Sequence, residues 1–170
     1  MKKLIECVPN FSEGRNYEKI NEIVDAMRNV GKITILDVDS GSDTNRTVVT
    51  MVGSPNSIME AAFTGIKTAS EILDMTNHKG SHPRIGATDV CPFIPISGVT
   101  DEECIDLSRK VGKRVGEELN IPVYLYEKSA SNSMRRKLPN IRKGEYEGLT
   151  KKLSDPDWNP DFGPNKEHIK

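Results

Sequence analysis

Strand-forming and helix-forming stretches alternate along this chain in the order strand, helix, strand, strand, helix, strand, helix, strand. A β-α-β-β-α-β core of that order implies an α+β sandwich, with one mixed sheet and the helices packed on one face. The expected fold is ferredoxin-like, and its other sheet face is left for a partner layer. Residues 4–8 read as the first strand, ended by Pro9, and "NFSEGRN" after it reads as turn. Residues 17–30 carry Ile20, Ile23, Val24 and Met27 at spacings of three and four, with Gly31 as the stop. Residues 33–38 and 47–52 are separated by a short turn and predict an antiparallel pair. Ser54-Pro55 then opens a helix that runs to about residue 75, with serine as cap and proline in the first turn.

Residues 89–96 read as a mostly buried strand whose two prolines favour an edge or a bulge. Thr100 and Glu103 have capping-box spacing and start a helix that ends near residue 120. Residues 123–128 predict a last strand, and residues 131–153 predict short helices broken at Pro139. The remainder, 154–170, reads as loop or linker.

Composition narrows the function classes. The formal net charge of −1 gives no field toward nucleic acid or an anionic membrane, so neither partner is expected. The opening apolar run is broken at Glu6, which argues against a signal peptide, and no run approaches the length of a membrane span. Cys7, Cys91 and Cys104 lie far apart with no CxxC, which fits reduced thiols and a cytoplasmic location.

The richest segment is "NHKGSHPRIGATD", which holds His78 and His82. On a helix, that spacing would aim both rings at one zinc ion, but Gly80, Ser81 and Pro83 argue against a helix. The rings then read either as polar turn residues or as a histidine acid–base on a rigid loop. Arg84 is placed to clamp a substrate carboxylate through paired hydrogen bonds. Asp39, at the end of a strand in "DVDSGSDTNR", reads as a turn residue or as a group that orients substrate. "RRKLPNIRK" reads as a solvated basic face, and Cys91 as packing.

Taken in order, "ECVPNFSEGRN", "LDVDSGSDTNRTVVTMVG", "HKGSHPRIGATDVCPFIPI", "PVYLYEKSA", "LPNIRKGEYEGL" and "DWNPDFGP" resemble glutamate formimidoyltransferase, also called formiminotransferase, across nearly the whole chain. The resemblance implies transfer of a formimino group from N-formimino-L-glutamate to tetrahydrofolate, in histidine degradation. It implies two α/β subdomains with folate in a tunnel between them. It makes His82, in the "HPR-G" element, the catalytic histidine, and it assigns folate binding to Gly163, Pro164 and Asn165 from "FGP" onward. No metal is implied.

The chain resembles the amino-terminal subdomain only. Residues 1–155 are expected to form that subdomain, and 156–170 a linker toward a carboxy-terminal subdomain held in cis or on a separate chain. A homodimer is expected. Two other classes compete with the transferase: a non-catalytic folate-binding or dimerisation module, and a metal hydrolase using His78, His82 and Asp89.

Overall fold

The computed structural model describes residues 2–166. Its strands are β1 (Leu4–Cys7), β2 (Asn10–Phe11), β3 (Ile33–Gly41), β4 (Arg46–Gly53), β5 (Thr88–Val90) and β6 (Phe93–Ser97). Its main helices are α1 (Tyr17–Asn29), α2 (Pro55–Ile72) and α3 (Asp101–Glu118), followed by the short α4 (Leu138–Arg142) and α5 (Leu149–Leu153). Each main helix starts where a side chain satisfies its free N–H groups. Asn16 accepts from the Glu18 and Lys19 amides, and Ser54 from the Ser57 amide. Thr100 and Glu103 make both bonds of the capping box.

The six strands form one sheet in the order β5-β2-β4-β1-β6, with β3 on the other edge of β4. The short pieces are halves of longer strands. β4 pairs with β2 through Val48 and Thr47, and with β1 through residues 51–53. Between them the Val49 amide donates to the Pro9 carbonyl at 3.0 Å, so the ladder crosses the proline that divides β1 from β2. Pro92 divides β5 from β6 in the same way, and its carbonyl accepts from Val8 at 3.3 Å. A proline lacks the amide that a continuous central strand needs, so the strand expected over 89–96 is two pieces.

Every observed pairing is antiparallel, which corrects the expected mixed sheet. The helix α1 joins the β1–β2 strand to β3 with β4 lying between them, and α2 joins β4 to β5 and β6 with β1 and β2 between. Parallel strands are therefore never neighbours. A second correction concerns residues 123–128, which are aromatic and β-branched yet form no strand. Val123 makes an isolated bridge to Phe162, the Leu125 amide donates to Asp161 Oδ2 at 2.7 Å, and Glu127 has φ of 52°. The chain after the last helix takes these backbone groups, so strand propensity is overridden. Pro139 also differs from expectation. It sits in the first turn of α4, where the missing amide is not needed.

Burial alternates along β4, with Thr47, Val49, Met51 and Gly53 inside. Ile5, Cys7, Phe11, Val49 and Met51 pack against Ile20, Ile23 and Met27 of α1, Ile58 and Ala62 of α2, and Val111 and Val115 of α3. The three helices thus cover one face, and full burial of each large side chain contributes about 1.5–3 kcal/mol. The intervening residues Glu6, Val48, Thr50, Val52 and Ile94 are only half-buried, and Leu36 and Ile96 are exposed. Residues 156–166 lie against the body: Tyr124 Oη donates to the Trp158 carbonyl, and Arg135 pairs with Asp161 at 3.1 Å. Among the described residues, no helix is long and apolar enough to cross a membrane.

Candidate functional site

The site is assembled at the β3–β4 turn. Asn45 ends that turn in the left-handed region, with φ of 49°, where its short polar side chain is tolerated. Its Oδ1 accepts from the Gly14 amide at 2.9 Å, and its Nδ2 donates to the Lys79 carbonyl at 3.0 Å. One buried side chain therefore ties the β2–α1 turn and the histidine segment to the sheet. Gly80 packs so closely here that a Cβ would lie 2.1 Å from the Thr44 carbonyl oxygen. Only glycine permits that approach.

The two histidines have different surroundings. His78 Nδ1 accepts from Arg84 Nε at 3.0 Å, so Nε2 carries the proton and donates to the Asn45 carbonyl at 2.9 Å. Both of its ring nitrogens serve the loop. His82 Nδ1 lies 2.7 Å from the Pro83 carbonyl, which only accepts, and 2.6 Å from Arg46 Nη1, which only donates, so its two contacts favour opposite tautomers. Its Nε2 also faces Arg46 Nη1, so the guanidinium lies against both ring nitrogens. His82 is half-buried and reachable from outside.

Arg46 is the first residue of β4. Alternation with buried Thr47 puts it on the uncovered face, where its Nε donates to Asn10 Oδ1 at 2.8 Å. Burial pushes its guanidinium down from the ordinary value; Asp89 opposes that and Arg142 adds to it. Asp39 is exposed and pairs in register with Val48 across from it, on the same face. His82, Arg46, Asn10 and Asp39 thus gather at one end of the open face.

Arg84 lies elsewhere. It is 6% exposed, and all five of its donors are engaged within the chain. It holds Glu147 by a two-pronged pair at 2.7 and 2.9 Å, Glu145 at 2.8 Å, and both the ring and the carbonyl of His78. The Glu147 carboxyl is held down to about 2 by this guanidinium, and Arg84 itself is raised, first by Glu147. Asp89 is buried, accepts from the Ile85 amide at 3.1 Å and pairs with Arg142. It is therefore not gathered with His78 and His82. Among the described residues, no group of three or more His, Cys, Asp or Glu stands where it could hold a metal ion.

The Phe162-Gly163 element sits on α3. A Cβ on Gly116 would lie 2.5 Å from the Gly163 amide nitrogen, and Gly163 has φ of 84°. Asn165 Nδ2 donates to Asn159 Oδ1 at 2.7 Å. No hydrogen bond among the described residues joins this element to His82. Sequence reasoning overlooked Arg46, Asn10, Asn45, Glu145 and Glu147. Strand alternation was signal enough for the face Arg46 occupies, whereas no local pattern marks Asn10 or Glu147.

Comparison with known proteins gives a consistent result. A family model described as the formiminotransferase domain, N-terminal subdomain, matches residues 4–170. The chain is 53% identical over 166 residues to the formimidoyltransferase-cyclodeaminase of Dictyostelium discoideum, which covers 98% of this chain and 31% of that protein. It is 49% identical over 168 residues to the glutamate formimidoyltransferase of Streptococcus pyogenes serotype M1, covering 99% of this chain and 56% of that one. The Thermoplasma acidophilum protein of the same name is 49% identical over 164 residues, 95% of this chain and 54% of its own. The chain therefore spans about one third to about half the length of these relatives.

Proposed function

This chain belongs to the formiminotransferase domain family as its N-terminal subdomain, and on that premise we propose that it forms the His82 half of a glutamate formimidoyltransferase site. The reaction moves a formimino group from N-formimino-L-glutamate to tetrahydrofolate. One observation carries this reading. His82 is half-buried and reachable at the end of the uncovered face, with the Arg46 guanidinium against its ring and Nδ1 2.7 Å from the Pro83 carbonyl.

The acceptor nitrogen of tetrahydrofolate attacks the formimino carbon, and the new C–N bond gives a tetrahedral centre. The His82 imidazole takes the proton from that nitrogen. It then returns a proton to the glutamate nitrogen as the original C–N bond breaks, so the ring ends as it began. Such a group contributes roughly 100- to 10,000-fold, and holding two substrates together supplies much of the remaining rate. Incoming substrate displaces Arg46 from the His82 ring. Arg46 then stands beside His82 as the nearest cation for a glutamate carboxylate. The clamp role read from sequence for Arg84 requires that same carboxylate to replace Glu145 or Glu147. Asp39 orients the reacting nitrogen from β3. Gly163, Pro164 and Asn165 contribute to folate binding from the α3 side, and residues 156–170 lead toward the second subdomain.

The strand order, with β1 between β6 and β4 and with β3 outside β4, supports the ferredoxin-like reading. The uncovered face, with Leu36 and Ile96 exposed, suits a partner layer: the second subdomain first, a second copy of the chain otherwise. A cytoplasmic setting without a metal fits this chemistry. The test is His82→Ala in a protein that carries both subdomains. Turnover should fall 100- to 10,000-fold while calorimetric folate binding persists. Unchanged turnover refutes the role of His82. Folate binding without turnover in the parent protein favours a binding module instead.

A further inference from the structure

Cys7 and Cys91 have no part in the chemistry above, yet their Sγ atoms lie 3.6 Å apart. Cys7 is on β1 with its side chain in the core and is fully buried. Cys91 is in the bend between β5 and β6, and it lines a cavity of about 190 Å³ together with Asp89, Ser108, Tyr126 and Tyr146. All three cysteines are free thiols. We propose that Cys7 and Cys91 form a modification site, a thiol pair that a peroxide-class oxidant closes into a disulfide.

Geometry and access assign the order of events. The two sulfurs are already in contact, and closure to a bond of about 2.05 Å needs a shift of only about 1.5 Å. The Cys91-Pro92 bend interrupts the regular ladder, so it can absorb that shift. Hydrogen peroxide is small enough to enter the cavity and meets Cys91 first. Cys91 loses two electrons to peroxide, giving a sulfenic acid and water. The Cys7 sulfur then attacks that sulfur, the S–O bond breaks, and the leaving hydroxide departs as water with the Cys7 proton. Two thiols and one peroxide become one disulfide and two waters. Burial, with Cys91 beside it, pushes the Cys7 thiol well above its ordinary value. Cys7 is therefore the resolving partner and not the first attacker. This inference is independent of the transferase reading.

The experiment treats the native 170-residue chain with hydrogen peroxide, alkylates remaining thiols under denaturing conditions, and reads intact mass, peptide map and melting. The expected product has lost about 2 Da, for two hydrogens. It leaves one alkylable cysteine, links residues 7 and 91, and reverts with dithiothreitol. The cross-link spans a sequence separation of 84 residues, so the oxidised chain should melt about 9–18 °C higher. Cys7→Ser should stop at a dimedone-trapped sulfenic acid on Cys91, and Cys91→Ser should leave Cys7 unreacted. The proposal is overturned if three thiols stay alkylable, if the wild type gains oxygen without a link, if the link includes Cys104, or if Cys91→Ser leaves Cys7 oxidised at an undiminished rate.

Discussion

Asn45→Ala tests the assembly of the site more directly than any catalytic substitution. Asn45 is 7% exposed and bridges the Gly14 amide and the Lys79 carbonyl. Removing its side chain orphans the Gly14 N–H, which is buried, at about 1–3 kcal/mol. Lys79 is exposed, so its carbonyl finds water and adds little. Alanine must also hold φ of 49°, a left-handed conformation that costs it about 1–2 kcal/mol. The sum is about 3 kcal/mol, which for a chain of this length lowers Tm by about 6–12 °C. Circular-dichroism melts and urea titrations of the wild type and the variant measure it. Asn45→Gly separates the two contributions, because glycine keeps the backbone conformation and loses only the hydrogen bonds. It should be about 1 kcal/mol more stable than Asn45→Ala. A loss below about 0.5 kcal/mol for Asn45→Ala, or a glycine variant less stable than the alanine variant, refutes the reasoning.

Two further outcomes follow from named contacts. Glu147, held down to about 2 against an ordinary 4.5 by Arg84, contributes stability that is present above about 4.5 and lost as pH falls toward 2. Its side chain is 67% exposed, so the contribution is at most about 1 kcal/mol; melts of wild type and Glu147→Gln should differ at pH 7 and converge near pH 2. Gly116→Ala places a Cβ 2.5 Å from the Gly163 nitrogen and 2.8 Å from Phe162 Cβ. Part of that obstruction is backbone and cannot rotate away, so the variant should lose about 1–3 kcal/mol. In a two-subdomain protein, calorimetry should show weaker folate binding; unchanged affinity would separate Gly163 from the folate site.

The elements read correctly from sequence share one property: their signals are local. Asn16, Ser54 and Thr100 cap amides two or three residues away, and the α1 stripe of Ile20, Ile23, Val24 and Met27 repeats within one helix. Residues 123–128 were misread because the same local signal was outweighed by partners about 36 residues later, at Asp161 and Phe162. Propensity is worth little against several satisfied backbone hydrogen bonds.

The histidine segment divides along the same line. Its glycines and proline argue against the helix that zinc spacing needs, and the family resemblance selects His82. Neither shows what the rings touch. Arg46 and Asn10 meet across 36 residues of chain, and Arg84 meets Glu147 across 63. Those encounters depend on strand register, on the antiparallel order that brings β2 beside β4, and on Gly80 closing against Thr44. Composition, capping and periodicity therefore specify the helices, most strands and the absence of a zinc-binding helix. The fold alone commits the ring nitrogens of His78 to the loop and Arg84 to an internal pair, because long-range packing decides which groups find partners and which stay free to act.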